Sequence, residues 1–74
     1  MSIVSSAKLK ILKGLDNHPM HGYEISKKLN MPISSVYEHL KELREGGLIS
    51  YEESDRKKVY HLTEKGKMLL EALK

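Results

Sequence analysis

Residues 32–47, with the sequence PISSVYEHLKELREGG, decide the fold that the rest of the chain is expected to adopt. Val36, Leu40 and Leu43 recur at the spacing i, i+4 and i+7, which places them on one stripe of a helix. The residues between them are mostly polar or charged. The spacing therefore predicts one amphipathic helix that buries this stripe and leaves its other side in solvent.

The polar face of this helix carries short hydroxyls, an aromatic ring and charges. Ser34, Glu38 and Lys41 lie opposite the apolar stripe, and Ser35 and Tyr37 flank them. Hydroxyl, amine and phenol groups donate hydrogen bonds to phosphates and to base edges, and a carboxylate accepts one from cytosine N4. This face is therefore a candidate for contacts with nucleic acid.

The ends of the helix are marked, and a second helix precedes it. Pro32 is compatible with a first turn, and Gly46 and Gly47 permit the left-handed backbone that ends a helix. Residues 23 to 29 predict a shorter helix, which Asn30 is expected to stop. A short helix, a tight turn and a longer helix form a helix-turn-helix, in which the second helix enters the major groove of DNA.

Positive charge is concentrated before the long helix. The chain has a net charge of +3 and a pI near 9.2. Residues 1–31 contain five lysines and two acidic residues, whereas residues 32–74 contain eight basic and eight acidic residues. Lys27 and Lys28 would lie near DNA phosphates if the helix-turn-helix binds DNA, although a solvated helix face also explains such a pair.

The segment after Gly47 predicts a two-stranded hairpin. Residues 48 to 52 and 57 to 62 have strand-like composition, and residues 53 to 56 form a polar turn between them. Three basic residues lie at the tip, next to acidic residues that nearly cancel their charge. We interpret the hairpin as a wing whose tip contacts DNA through Arg56, Lys57 and Lys58.

The first and last helices carry more apolar surface than one core-facing stripe requires. The first, which ends near residue 16, has a second stripe, and the last spans residues 64 to 73 after the capping residue Thr63. The surplus is either part of a broad core face or a dimer contact. The predicted dimer contact consists of Leu9, Leu12, Met68, Leu69 and Leu73.

Composition limits the other possible functions. The 74 residues predict a single domain spanning 1–74, and the lack of cysteine excludes disulfides and thiolate metal sites. His18 and His21 lack an evident third ligand, so we expect no metal and no other cofactor. There is no phosphate loop, nucleophile motif or membrane-spanning run. We therefore expect a cytoplasmic protein that is not an enzyme.

Several short segments resemble the PadR family of transcriptional regulators. They are PMHGYEI at residues 19–25, SVYEHL at 35–40, GLI at 47–49 and KVYHLTEKG at 58–66. HGYEI is the most specific of them. The resemblance implies a DNA-binding, repressor-type domain that forms a homodimer on a palindromic site, with Tyr37 as the family tyrosine of the recognition helix. Relative to the family, the chain is expected to be shortened, without the usual C-terminal helical region.

The prediction is an α+β, mainly α, winged helix-turn-helix with three helices, a two-stranded wing and one C-terminal helix. Its expected function is sequence-specific binding of double-stranded DNA as a homodimeric transcriptional regulator. A winged-helix module that binds another protein, without specific DNA binding, is the alternative. A small-molecule effector is compatible with the sequence but is not indicated by it.

Overall fold

A computed structural model describes residues 6–73 and contains four helices and a three-stranded antiparallel sheet. The elements in chain order are α1 Ser6–Asn17, β1 Met20–His21, α2 Gly22–Leu29, α3 Ile33–Glu45, β2 Ile49–Ser54, β3 Lys57–Leu62 and α4 Glu64–Leu73. The predicted winged helix-turn-helix is confirmed.

The helix-turn-helix consists of α2 and α3, and its turn is set by Asn30. This residue has φ 55° and ψ 50°, the left-handed conformation that asparagine tolerates better than most residues. The backbone N–H of Met31 donates to the carbonyl of Ser26 at 3.0 Å, which closes α2. Pro32 precedes the first residue of α3 and has φ −58°. Asn30 therefore stops α2, as predicted.

The predicted two-stranded wing is confirmed as β2 and β3, and it belongs to a three-stranded sheet of strand order β1-β3-β2. Met20 pairs with Tyr60 and His21 with Val59, so β1 adds a short strand beside β3. Two residues cannot show the alternation from which a strand is predicted, and only the fold places them next to β3. β2 and β3 meet through a two-residue turn at Asp55 and Arg56.

Helix α1 lies at the centre of the helical layer and contacts α2, α3, α4 and β3. Both of its apolar stripes therefore pack inside the protein. Leu12 has no exposed surface, so its assignment to a dimer contact is wrong. The buried apolar core contains Ile11, Leu12, Leu15, Met20, Ile25, Val36, Leu40, Leu43, Ile49, Tyr60, Leu62 and Leu70.

The C-terminal end of α3 is fixed by the start of α4. Thr63 donates from its hydroxyl to the carbonyl of Gly47 at 2.6 Å, and the same hydroxyl accepts from the backbone N–H of Gly66 at 3.1 Å. Lys65 donates to the carbonyl of Gly46 at 3.0 Å, where a cation also complements the helix dipole. Gly47 has the left-handed φ of 78°, whereas Gly46 remains right-handed.

Candidate nucleic-acid interface

The polar face of α3, which the sequence predicts to contact nucleic acid, is accessible. Ser34, Glu38 and Lys41 are exposed, and Ser35 is half-buried. Val36, Leu40 and Leu43 fill the core on the opposite side, because the apolar stripe fixes which side of the helix faces inward. The described structure therefore presents two hydroxyls, one carboxylate and one amine along one helical surface.

Tyr37 differs from the rest of this face because its ring lies against α2. A Cβ placed on Gly22 would lie 2.6 Å from Cζ and 2.8 Å from the hydroxyl of Tyr37. Such distances are well inside ordinary van der Waals separation. The ring is 49% exposed, so one side packs on the first turn of α2 and the other faces solvent. The HGYEI segment therefore contains a glycine that makes room for the recognition-helix tyrosine.

The start of α2 is organised by His21. Its Nδ1 accepts a hydrogen bond from the backbone N–H of Glu24 at 3.2 Å, which makes His21 the N-cap. The imidazole stacks near the ring of Tyr23, with centroids 6.4 Å apart. Lys27 also lies over this ring, with Nζ 5.1 Å from the Tyr23 centroid. Lys27 and Lys28 are both exposed, and the Tyr23 ring limits the range of positions available to Lys27.

The wing carries an ordered set of cations around Tyr51. Arg44 lies over this ring at 5.2 Å and Lys58 at 4.9 Å, so a residue of α3 and a residue of β3 share one aromatic surface. Arg56, Lys57 and Lys58 are exposed, as is the neighbouring Glu53. Arg56 and its neighbour in the turn have positive φ values of 64° and 50°, which is the conformation of a tight hairpin turn.

An open groove of about 470 Å³ joins these features. It lies between the start of α2, Tyr37 of α3 and the wing. Its lining residues are His21, Tyr23, Tyr37, Glu53, Arg56, Lys57 and Lys58. The structure thus brings three of the predicted wing contacts next to one predicted contact of the recognition helix. Lys27, which lies over Tyr23, is adjacent to the same groove.

The histidines show no metal arrangement within residues 6–73, where no group of three candidate ligands converges. His18 Nε2 lies 3.4 Å from Glu24 Oε2, and His21 Nε2 lies 3.9 Å from Glu24 Oε1. His21 accepts a hydrogen bond at Nδ1, so its neutral form carries the proton on Nε2 and offers no lone pair there. The buried Nδ1 of His39 has no hydrogen-bond partner among the described residues.

The remaining predicted dimer residues are accessible to different degrees. Met68 and Leu73 on α4 are 69% and 51% exposed. Leu9 of α1 and Leu69 of α4 are partly buried against the core. A surface of two exposed apolar side chains with two partly buried neighbours therefore remains on the described part of α1 and α4.

The sequence interpretation missed the two close backbone approaches that position α3. Gly66 is buried, and a Cβ there would overlap the carbonyl oxygen of Leu48. Gly22 has the corresponding role beside Tyr37. The only sequence signal for either is a glycine within a helical segment, where glycine is unfavourable without a packing reason.

Comparison with known proteins identifies the family and the fold. The model of the transcriptional regulator PadR-like family matches residues 11–72. A search of curated proteins found no significant match.

Solved structures of regulators have the same fold. A variant of ZitR from Lactococcus lactis is 25% identical, with a TM-score of 0.92 over 99% of this chain and 52% of its own. AdcR, an adhesin competence repressor from Streptococcus pyogenes, is 19% identical, with a TM-score of 0.90 over 96% of this chain and 54% of its own. The transcriptional regulator BldR from Sulfolobus solfataricus is 19% identical, with a TM-score of 0.88 over 93% and 52%. This chain therefore spans about half the length of these structures.

Proposed function

The chain belongs to the PadR-like family of transcriptional regulators, and from this premise we propose that it binds double-stranded DNA sequence-specifically as a homodimeric repressor. In this proposal it acts in the cytoplasm, as one winged-helix domain with no enzymatic activity and no cofactor. None of the helices in residues 6–73 has the length and apolar character needed to cross a bilayer.

The groove between the recognition helix and the wing is the observation that supports DNA binding most directly. It places Tyr37 beside Arg56, Lys57 and Lys58, with Lys27 adjacent. A duplex that receives α3 in its major groove would bring its phosphate backbone to these cations. They supply the attraction that α3 itself lacks.

Within this arrangement the residues divide into two roles. Lys27, Lys28 and the wing cations contact phosphates and provide affinity for any sequence. Ser34, Ser35, Glu38 and Lys41 contact base edges and discriminate between sequences. Tyr37, at the junction of α3 with the groove, contacts DNA at the boundary between the two sets.

Selection of bound fragments from a random duplex library tests this function and identifies the site at once. Affinity for the selected site should then fall steeply with salt. Replacing both Lys27 and Lys28 by alanine should weaken binding to all sequences and reduce the salt slope by about two. Lys41→Ala should instead change the ratio of affinities between sequences.

A matched control is Lys67→Ala, which removes an exposed lysine of α4 that borders a different surface cleft, next to Pro19 and His61. It should leave binding within about twofold of the wild-type value. If no duplex is retained even at low salt, DNA binding is excluded. Capture of a partner protein that persists after nuclease treatment would then favour the protein-interaction alternative.

The dimer is supported by the apolar side chains of α4. Met68 and Leu73 expose more than half of their surface, and a partner that covered them would gain their apolar area. Sedimentation of the wild-type chain at micromolar concentrations should show a dimer, whereas replacing both residues by glutamate should give a folded monomer. A wild-type monomer at high micromolar concentration would exclude this contact.

Repression is tested by transcription in a purified system from a promoter that contains the selected site. Adding the protein should reduce the amount of transcript, and the double substitution of Lys27 and Lys28 by alanine should restore it. An increase in transcript on adding the wild-type protein would instead identify an activator.

A further inference from the structure

Gly22 lies where a side chain would ordinarily stabilise the protein. It is the first residue of α2, it is buried, and it is not among the glycines with positive φ. An alanine would be compatible with this first helical position if space allowed. The residue is therefore not required for backbone conformation, and its use needs another physical reason.

The reason is the ring of Tyr37. The nearest atoms to a Cβ on Gly22 all belong to this ring, at 2.6 Å for Cζ, 2.7 Å for Cε1 and 2.8 Å for the hydroxyl. An alanine would push the ring away from α2 towards solvent. The missing side chain at position 22 thus determines where the phenol of the recognition helix lies.

Tyr37 lines the groove, and its hydroxyl retains its hydrogen-bonding capacity. Within residues 6–73 it has no hydrogen-bond partner, although the side chain is half-buried. It shares the groove with Arg56 and Lys58 from the wing. A phenol donor beside two cations is suited to an anionic oxygen acceptor. Glu53 borders the same groove and is paired with Lys58 across the hairpin, so it offsets part of the attraction of the three wing cations for an anion.

We propose that Gly22 is a positioning residue for DNA binding. It holds the Tyr37 ring against α2, so that the phenol hydroxyl donates to a phosphate of the DNA backbone in the groove instead of reading a base. This inference rests on the proposed DNA-binding function and assigns Tyr37 to affinity, not to sequence discrimination.

The hydroxyl is tested by Tyr37→Phe, which keeps the ring. Affinity for the selected duplex should fall about fivefold, the size of one hydrogen bond. The same loss should occur on duplexes that carry single base-pair changes in the site. Unchanged affinity would overturn the proposal, and so would a loss confined to particular base pairs, because that pattern indicates base reading.

The positioning role is tested by a cycle of Gly22→Ala, Tyr37→Ala and the double variant. Gly22→Ala alone should weaken binding at least as much as Tyr37→Phe. In the Tyr37→Ala background, Gly22→Ala should change affinity by less than twofold and should not lower the unfolding temperature, because the clashing ring is gone. Losses of affinity that multiply in the double variant would overturn the proposal.

Two controls separate this inference from the proposed function. Gly14→Ala alters a helical glycine whose added Cβ meets only the flexible end of Met20, at 3.2 Å, and should leave DNA affinity unchanged. Nuclear magnetic resonance should show the α-protons of Gly22 shifted by the Tyr37 ring current, an effect lost in Tyr37→Ala. Absence of that shift would overturn the proposal whether or not DNA binds. A wild-type protein that shows the shift and binds no duplex would contradict the proposed function and, with it, the phosphate contact.

Discussion

Gly66→Ala should destabilise the protein severely, although alanine is the better helix former. Gly66 lies in the first turn of α4, directly against the backbone of Leu48. A Cβ there would overlap the Leu48 carbonyl oxygen and lie 3.1 Å from the carbonyl carbon. To restore ordinary contact, α4 would have to move by about 1 Å. The obstacle is backbone, so no rotamer change can relieve it.

The cost follows from the contacts that such a shift disrupts. The hydroxyl of Thr63 donates to Gly47 at 2.6 Å, and its backbone N–H donates to Leu48 at 3.1 Å. Each hydrogen bond contributes about 1 kcal/mol. Partial exposure of Leu70 adds a cost of about 1–2 kcal/mol. The higher helix propensity of alanine offsets about 1 kcal/mol of this cost. The net loss in the free energy of unfolding is therefore about 2–3 kcal/mol.

Thermal and guanidinium unfolding followed by circular dichroism measures this loss. For a domain of this size, it corresponds to a fall in Tm of about 10–20 °C. Gly14→Ala is the matched control, because its Cβ meets only the terminal methyl of the Met20 side chain, at 3.2 Å, and no backbone atom. That variant should unfold near or above the wild-type temperature. A Gly66→Ala variant as stable as the wild type would refute the assignment of Gly66 to close packing.

Three further predictions concern stability. Leu12→Ala should lower the free energy of unfolding by about 2–5 kcal/mol, and Met68→Ala by less than about 0.5 kcal/mol, in urea titrations at concentrations where the chain is monomeric. Asn30→Gly should be nearly neutral, whereas Asn30→Val should cost about 1–2 kcal/mol because of its left-handed backbone. Burial, and secondarily the nearby Tyr37, raise the pKa of Tyr60. Tyr60 therefore ionises at lower pH in the unfolded chain than in the folded protein. The free energy of unfolding should keep the full contribution of Tyr60 below about pH 10 and fall above it, less steeply in Tyr60→Phe.

The sequence alone could predict elements that depend on local periodicity. The i, i+4, i+7 stripe of Val36, Leu40 and Leu43 predicted the buried side of α3, and Asn30 predicted the end of α2. The first prediction holds because helix geometry fixes which residues share a face, and the second because asparagine tolerates the left-handed backbone that ends a helix. The same reasoning failed for Leu12, because the second stripe of α1 gives no sign of how many elements will surround that helix.

The site could be predicted only in part, because its geometry depends on the space that a glycine leaves open. The exposed residues of α3 followed from the helical period. The position of Tyr37 did not, since it depends on the open space above Gly22. Likewise, the pairing of β1 with β3 could not be predicted, because it depends on where the fold places β3. Contacts between distant segments leave no periodic trace in either segment.

Besides its buried stripe, helix α3 has a packing contact in its first half and a pair of hydrogen bonds at its C-terminal end, and these determine what its variants can report. In its first half, the Tyr37 ring rests on α2 at Gly22, and at its C-terminal end Thr63 and Lys65 bind the carbonyls of Gly47 and Gly46. Removing a side chain from the exposed face, as in Lys41→Ala, leaves these contacts intact and therefore reports on DNA contact alone. Removing the Thr63 hydroxyl alters the position of the helix instead, so it should affect every base contact together. A loss of affinity without a change in preference consequently identifies a phosphate contact only when the unfolding temperature is unchanged.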